Sequence, residues 1–404
     1  MTATVKVKFR PSMISNCPGT LVYCITHRRI VRQIITDYEV YPYEWDDKRS
    51  TILFSGNQNI NKDRKDVLMQ VDQHVRMDIG RLEMLIKKLS VNSGTYTSDD
   101  IVAQYYEYVK THSFRLFMEY IIAEFKQFGK ERTSETYASA LASFMRFRRG
   151  KDLLFEEITA DLMIEYEVWL KANGLRMNTV SFYNRILRAV YNRAVDQGLS
   201  LQCYPFKRVY TGIDKTIKRA IQLNDIRRIK DLDLTINPSL GFARDMFLFS
   251  FYMRGMSFVD MAYLKKTDLK NGILTYVRRK TKQTLFIKWE KCMQELIDKY
   301  PLNNTEYMLP IIESHENERH QYLNALRLVN NRLKMIAALL GLHRNLTMYV
   351  SRHSWASIAK DQNIPISVIS EGMGHNSEHT TRIYLASLDT SRIDKANKLI
   401  LEKL

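Results

Sequence analysis

Three short stretches near the C-terminus carry most of the information about this protein. Residues 346–356 read Leu-Thr-Met-Tyr-Val-Ser-Arg-His-Ser-Trp-Ala, residues 372–377 read Gly-Met-Gly-His-Asn-Ser, and residues 380–385 read Thr-Thr-Arg-Ile-Tyr-Leu. If the first stretch is helical, Tyr349 and Arg352 share one face. The glycine-rich turn around His375 is typical of the start of a helix, where free backbone N–H groups favour an anion. Tyr384 follows nine residues after His375.

Further upstream, two segments supply more cations. Arg254 lies in the apolar stretch 246–264, where an unpaired guanidinium would be costly, so it must meet an anion. That anion is either Asp260 in a salt bridge, which the stretch alone favours, or a phosphate bound from outside. Lys280 and Lys282 lie at the tip of a hairpin predicted from strands 272–277 and 283–289. From a hairpin tip an ammonium can reach into a groove, although such tips are also commonly basic for solubility alone.

The order of these residues resembles the catalytic domain of the tyrosine recombinase (phage integrase) family. That domain has an Arg followed by an acidic residue, a hairpin Lys, a His-x-x-Arg motif, a Leu-Gly-His motif and a nucleophilic Tyr. The resemblance covers roughly residues 222–404. This sequence departs from it in two places, because Tyr349 stands at the first His of His-x-x-Arg and Asp260 follows Arg254 at a longer spacing. A phenol is a poorer proton acceptor than imidazole at neutral pH.

The resemblance implies a role for each of these residues. Tyr384 would attack a DNA phosphodiester to form a 3′-phosphotyrosine, while Arg254 and Arg352 hold its non-bridging oxygens. His375 would add a donor, and Lys280, with Lys282 as the fallback, would protonate the leaving 5′-oxygen. The remaining members of the set are Tyr349, in place of the family histidine, and Asp260 and His353, which are expected to support the others.

Composition points to a nucleic-acid partner. The 404 residues include 61 Lys plus Arg against 44 Asp plus Glu, a net charge of +17, and an excess of this size favours a polyanion such as nucleic acid or an anionic membrane surface. The longest apolar run is too short to span a bilayer, no secretory signal is evident, and the four cysteines form no C-x-x-C pair. We therefore expect a soluble protein of a reducing, bacterial cytoplasm, associated with the nucleoid.

The pattern of apolar residues predicts a mainly α fold with small β parts, in three domains. Residues 1–95 are predicted to form a three-stranded antiparallel sheet and a long helix, similar to an arm-type DNA-binding domain. Residues 98–205 read as an all-helical core-binding domain, and residues 220–404 as the mixed α+β catalytic domain.

A helix predicted within 173–195 has no acidic residue, so one of its sides is positive. This is either a solvated face or a surface for DNA phosphates, and the sequence favours phosphates because solvated faces usually mix signs. The basic segment that follows would continue this surface between domains. The predicted DNA-binding residues are Arg176, Arg185, Arg188, Arg193, Lys207, Arg208, Lys218 and Arg219.

Neither a cofactor nor a metal ion is expected. The sequence contains no G-x-x-x-x-G-K-[ST] motif, and a phosphotyrosine would conserve the bond energy without ATP. A polar stretch could suggest a metal site, but its spacing fits no ligand set and it reads as a solvated loop. Its members are Glu313, His315, Glu316, Glu318 and His320.

These observations predict a site-specific recombinase, the integrase or invertase of a mobile element. Its expected partner is double-stranded DNA, on which a tetramer assembles across two sites. Residues 391–404 would form an amphipathic helix that packs either on its own domain or on a neighbouring subunit. Two alternatives stay open: a type IB topoisomerase, and a non-catalytic DNA-binding protein on the same scaffold.

Overall fold

The computed structural model describes residues 2–14, 16–54, 62–92, 95–214, 220–385, 398 and 400–402. It divides the chain into two compact units, Met1–Lys215 and Thr216–Leu404. Helices dominate, and the strands form small antiparallel sheets. The mainly α fold predicted from the sequence is thus confirmed, consistent with a chain of 404 residues that contains only 15 Gly and 8 Pro to interrupt its helices.

The first unit begins with a three-stranded antiparallel sheet in the order β1-β2-β3. Successive side chains point to opposite faces of the sheet, and on β1 the exposed Lys6 and Lys8 alternate with the buried Val7 of the packed face. On β2 the packed face includes Leu21, Tyr23 and Ile25, all fully buried. The elements of this part are β1 (Thr4–Arg10), β2 (Gly19–His27), β3 (Ile30–Val40), the short pair β4 (Trp45–Asp46) and β5 (Thr51–Ile52), and the helices α1 (Lys62–Asn92) and α2 (Ser98–His112).

Helix α2 belongs to the core under the sheet. Its Ile101 and Tyr105 are buried in the same apolar cluster as Tyr23 of β2 and Leu82 of α1. The sequence-based boundary between residues 95 and 98 therefore cuts through one core. The polar turn at that point looks like a linker in the sequence, but α2 packs back on the sheet because its apolar stripe fits there.

The rest of the first unit is a helical bundle with an aromatic core around Phe114, Phe144 and Tyr166. Thr159 caps α5 (Ala160–Ala172), because its hydroxyl accepts a hydrogen bond from the amide of Leu162 at 3.2 Å. The helices are α3 (Phe114–Gln127), α4 (Glu131–Phe147), α5 (Ala160–Ala172) and α6 (Met177–Asp196).

A buried arginine connects the two parts of the first unit. Arg81 of α1 is 6% exposed and donates to Asp78 at 2.6 Å, to Glu157 at 3.0 Å and to Glu156. Asp78 also accepts the phenol O–H of Tyr23 at 2.7 Å. Because three carboxylates surround one buried cation, the charge is compensated where an isolated guanidinium would be costly.

The second unit is built around the apolar helix α8, which packs against α11 and α12. Met246, Phe247 and Phe249 of α8 are fully buried. The elements of this unit are α7 (Leu223–Asp231), α8 (Pro238–Tyr252), α9 (Phe258–Ala262), β6 (Leu269–Lys270), β7 (Ile273–Val277), β8 (Thr284–Lys288), α10 (Lys291–Ile297), α11 (Glu318–Leu339), α12 (Met348–Asp361), α13 (Ile366–Gly372) and α14 (Glu378–Leu385).

The predicted hairpin exists as β7 and β8, with Val277 opposite Thr284 next to its turn. It carries one strand more than predicted, because the two-residue β6 pairs with the start of β7. The helix predicted for 391–404 lies largely outside the described residues.

Candidate active site

Arg352 is the most enclosed cation of the site. It lies on α12 with 4% of its surface exposed. Its Nη1 donates to the carbonyl of Gly255 at 2.8 Å, and its Nη2 donates to the carbonyl of Met373 at 2.6 Å and to Nε2 of His375 at 3.1 Å. A guanidinium stays charged at all relevant pH values, so these acceptors fix both the orientation and the location of a permanent positive charge.

The turn after α8 brings Gly255 onto Arg352. Arg254 and Gly255 both have left-handed backbones, with φ of 56° and 74°. A Cβ added to Gly255 would lie 2.7 Å from the Cα of Arg352, so the close approach requires glycine as well as the unusual φ. Arg254 is half-buried and lies in the same turn. Its left-handed backbone is strained, because it is not a glycine.

Asp260 is engaged by groups other than the Arg254 side chain. Its carboxylate accepts the hydroxyl of Ser257 at 2.6 Å and the backbone N–H of Arg279 at 2.9 Å. Within the described ranges, Arg254 forms no ion pair with any carboxylate. The salt bridge that the sequence favoured for Arg254 is therefore wrong, because the Asp260 carboxylate binds the hydroxyl of Ser257, the N-cap residue of α9, and anchors the hairpin instead.

His375 is held in one tautomer. Since an arginine can only donate, Nε2 of His375 accepts the hydrogen bond from Arg352, and Nδ1 therefore carries the proton and donates to the hydroxyl of Thr381 at 2.8 Å. Burial lowers the pKa of His375 to about 4, assisted by the positive charges of Arg352, Arg278 and Lys280. The imidazole is thus neutral at pH 7.

The β7–β8 hairpin brings further cations to this place. Lys280 is exposed at its tip, yet close enough to His375 to help to lower the imidazole pKa. Lys282 is also exposed and has a left-handed backbone with φ of 59°. Arg278, which the sequence reading did not single out, is 6% exposed and donates to the carbonyl of Gly374. Nothing in the sequence distinguishes it from the four other basic or polar residues of the turn.

The pKa of one buried phenol responds to three of these guanidinium groups. Burial and the charge of Asp260 raise the pKa of Tyr276 above its usual value, while Arg352, Arg278 and Arg254 act in the opposite direction. One side chain of β7 therefore experiences the fields of all three arginines. Arg254 comes from the turn after α8, Arg278 from the hairpin and Arg352 from α12, so distant segments build one positive site.

Tyr349 and His353 lie next to the site on α12. Tyr349 is 52% exposed, one helical turn before Arg352, and its ring meets that of His353 edge to face at a centroid distance of 4.5 Å. His353 is intermediate in exposure. The position that carries a histidine in the resembled motif thus holds a surface phenol that stacks on the neighbouring imidazole.

Tyr384 lies in α14, the helix that contacts His375. The fully buried Thr381, which accepts from Nδ1 of His375, precedes Tyr384 by three residues, about one helical turn. The Tyr384 side chain is outside the described residues. Thr381 is a second residue that the sequence reading missed, because a threonine in a polar helix carries no signal of its partner.

The predicted DNA-binding residues of the first unit differ in exposure. On α6, Arg185 and Arg188 are exposed, as is Arg176 at its N-terminal end, whereas Arg193 donates to Glu124 of α3 at 2.6 Å. Arg193 therefore helps to hold the bundle together. Of the basic segment after α6, Lys207 and Arg208 are exposed, and Lys218 and Arg219 lie outside the described residues.

The polar stretch 313–320 is only partly a loop. Glu318 and His320 belong to α11, and the Glu318 carboxylate accepts the phenol O–H of Tyr307 at 2.9 Å and contacts Nδ1 of His315 at 3.2 Å. The Glu318 carboxylate therefore binds side chains around the first turn of α11. Within the described part of the chain, no helix is long and apolar enough to cross a membrane.

One part of the first unit matches a known family of domains by sequence. Residues 113–209 match the family described as the phage integrase SAM-like domain. No curated protein matches the chain by sequence.

Solved structures similar to the chain include two integrases and a site-specific recombinase. The Tn1549 transposon integrase in complex with a circular intermediate DNA matches with a TM-score of 0.54 at 12% identity, over 72% of this chain and 100% of that one. A lambda integrase tetramer bound to a Holliday junction matches with a TM-score of 0.52 at 13% identity, over 88% of this chain and 94% of that one. The XerH site-specific recombinase bound to a palindromic difH substrate matches with a TM-score of 0.52 at 18% identity, over 79% and 94%.

At these identities the likeness concerns the fold, and the matched domain adds a sequence relationship for the helical bundle. Residues 113–209 thus match a phage integrase domain by sequence, and the chain shares its fold with two solved integrases and a site-specific recombinase.

Proposed function

We propose that the protein is a site-specific DNA recombinase, the integrase or invertase of a mobile element, that breaks and rejoins DNA through a 3′-phosphotyrosine. The observation that carries this proposal is the buried Arg352, fixed beside a neutral His375 and within the field of two further guanidinium groups. A cluster of permanent cations suits the phosphorane-like transition state of phosphodiester cleavage, which gains negative charge on its non-bridging oxygens.

In this proposal, Arg352 and Arg254 bind the non-bridging oxygens of the scissile phosphate. A planar guanidinium can present two parallel N–H groups to a phosphate, and a charge-assisted hydrogen bond is stronger than one between neutral groups. Because both side chains are placed by packed turns and helices before DNA arrives, little reorganisation is needed when the charge develops.

The Tyr384 phenol attacks phosphorus, which forms the O–P ester bond and breaks the bond to the 5′-oxygen. The phenol proton passes to water, and the ammonium of Lys280 gives a proton to the departing 5′-oxygen, which would otherwise leave as a strongly basic alkoxide. A 5′-hydroxyl from a second duplex reverses these steps and joins the new strand. The exposed tip of the hairpin gives Lys280 the reach that this transfer needs.

We further propose that exposed arginines of α6 bind the DNA backbone, and that four protomers act together on two sites in the bacterial nucleoid. Arg185 and Arg188 point away from the bundle core and lie about one turn apart. Support for assembly comes from the lambda integrase tetramer bound to a Holliday junction, whose fold this chain shares. For this recombinase we propose three domains: an N-terminal sheet domain, a helical DNA-binding bundle and a C-terminal catalytic unit.

The test begins with fragmented genomic DNA of the host. The purified protein is incubated with the fragments, covalent adducts are trapped in detergent, and their DNA is sequenced to find the cleaved site. We expect wild-type protein to form adducts at a defined sequence and the Tyr384→Phe variant to form none while still binding that sequence. Adducts that persist in the variant would show that another residue is the nucleophile.

A nicked duplex and a supercoiled plasmid, both carrying the recovered sequence, then separate the three possible functions. Strand transfer between two duplexes is expected for a recombinase. Relaxation of supercoiled DNA without strand transfer would identify a topoisomerase, and specific binding without any adduct would identify a non-catalytic DNA-binding protein.

A further inference from the structure

Arg278 connects the hairpin to the turn that carries His375. It follows directly after β7 and is 6% exposed. Its Nη1 donates to the carbonyl oxygen of Gly374, the residue immediately before His375. The hydroxyl of Thr281, three residues further along the hairpin, donates to the same carbonyl at 3.3 Å. Two side chains of the hairpin tip therefore hold one carbonyl of the His375 turn.

The shape of the turn is adapted to this contact. Gly374 has a left-handed backbone with φ of 63°, and a Cβ at this position would lie 3.0 Å from Leu285 of β8 and 3.2 Å from Cδ of Arg278. The turn thus packs directly on the hairpin, and a larger residue would push the two apart.

The opposite side of the hairpin tip is also anchored. The backbone N–H of Arg279 donates to Asp260 at 2.9 Å, and its guanidinium lies over the ring of Tyr263 at 3.9 Å from the centroid. Arg278 and Thr281 hold the tip on one side, and Arg279 holds it on the other. Lys280 lies between these anchors, and its own side chain has no ion pair within the described ranges.

We propose that Arg278 is a positioning residue, which fixes the hairpin on the His375 turn and thereby sets where Lys280 can deliver its proton. This inference rests on the proposed function, because it assigns Lys280 the role of general acid. Arg278 acts through the Gly374 carbonyl, so its loss is expected to release the hairpin tip. The ammonium of Lys280 then samples many positions, and protonation of the 5′-oxygen becomes rare.

The experiment compares two leaving groups on the same nicked duplex. One duplex has the normal 5′-oxygen at the cleavage position, and the other has sulfur in place of that bridging oxygen. A thiolate leaves without a proton, so the sulfur substrate does not need a general acid. Cleavage rates are measured under single-turnover conditions for wild type, Arg278→Ala, Arg278→Lys, Lys280→Ala and the Arg278→Ala/Lys280→Ala double variant.

We expect Arg278→Ala to slow cleavage of the oxygen substrate about 100-fold, within the usual contribution of general acid catalysis, and to cleave the sulfur substrate within about threefold of wild type. Lys280→Ala should show the same pattern. The double variant should cleave no more slowly than Lys280→Ala alone, since both substitutions remove the same effect, protonation of the 5′-oxygen by Lys280. Arg278→Lys, which keeps one donor for the carbonyl, should lose less than Arg278→Ala. Lys288→Ala, a charge-matched control on β8, should behave as wild type.

The inference would be overturned if Arg278→Ala and Arg278→Lys each lowered the cleavage rate of the oxygen and the sulfur substrate by the same factor. Arg278 would then bind phosphate or support the fold. The inference would also be overturned if the fold reductions in cleavage rate of the two single variants multiplied in the double variant, since the two residues would then act independently. If wild-type protein forms no adduct with either substrate, the proposed function itself fails, and the role of Arg278 with it.

Discussion

Arg352 and His375 bind each other, with Nη2 of the guanidinium donating to Nε2 of the imidazole across 3.1 Å. A phosphate oxygen is a stronger acceptor for a guanidinium than a neutral imidazole is. Phosphate binding is therefore expected to replace this contact. Under the proposed function, the imidazole keeps this donor in place until the phosphate of a DNA substrate replaces it.

The first prediction concerns the planar fork of Arg352. Arg352→Lys keeps the positive charge but loses the second N–H pair, so cleavage of the nicked duplex should fall about 100-fold, the usual effect of losing one transition-state donor. Binding of the same duplex should change less than about threefold, since most affinity comes from many phosphate contacts. Single-turnover cleavage and filter binding measure the two effects, and Arg382→Lys, an exposed arginine on α14, is the matched control. Equal losses in both assays would make Arg352 a simple phosphate clamp.

The second prediction concerns the stability of the second unit as pH falls. The folded protein holds His375 neutral with a pKa of about 4, whereas an unfolded histidine takes up a proton near pH 6.5. The unfolded chain therefore binds more protons between these values, and the free energy of unfolding declines as pH falls from about 6.5 to 4, by at most about 3 kcal/mol. Above pH 6.5 His375 contributes no pH dependence.

Urea unfolding at pH 7 and pH 5 measures this effect. His375→Gln should lose less stability between the two pH values than wild type, whereas His379→Gln, at an exposed position of α14, should lose as much as wild type. If His375→Gln and wild type lose the same free energy, the imidazole is not held neutral by its surroundings.

The third prediction addresses the phenol on α12. Tyr349 is half exposed and stacks edge to face on His353, so an imidazole fits at its position without disturbing the core. Tyr349→His should therefore cleave the nicked duplex at the wild-type rate or up to about tenfold faster near pH 7, because imidazole accepts protons there and a phenol does not. Cleavage rates across pH 6 to 9 test this, and an inactive variant would mean that the phenol itself acts on the substrate.

The fourth prediction separates binding arginines from structural ones on α6. Replacing Arg185 and Arg188 by alanine should weaken DNA binding and reduce the slope of log affinity against log salt by about 2, because two phosphate contacts no longer release counterions. Arg193→Ala should leave that slope unchanged and lower the thermal stability of the bundle, since Arg193 is paired with Glu124. Arg132→Ala, at an exposed position of α4, controls for net charge. An unchanged slope in the double variant would remove α6 from the DNA interface.

Much of this protein could be predicted from local patterns in its sequence. Alternation and helical spacing gave the three-stranded sheet, the long helices and the β7–β8 hairpin, because these patterns reflect which side of each element is buried. The ordered set from Arg254 to Tyr384 pointed to the recombinase fold that the structural comparisons show. Where an apolar stripe could pack on more than one neighbour, as in α2, local pattern did not tell which core it would join.

The partners of the charged groups depended on the packing of distant segments. Asp260 binds the Arg279 amide and not the Arg254 side chain, Arg193 pairs with Glu124, and Arg278 reaches a carbonyl almost a hundred residues away. A sequence shows that a cation needs an acceptor, since burying an unpaired charge is costly, but several acceptors satisfy that need equally well. Which one is used follows from the backbone turns at Gly255 and Gly374, whose close approach to other segments exists only in the folded chain.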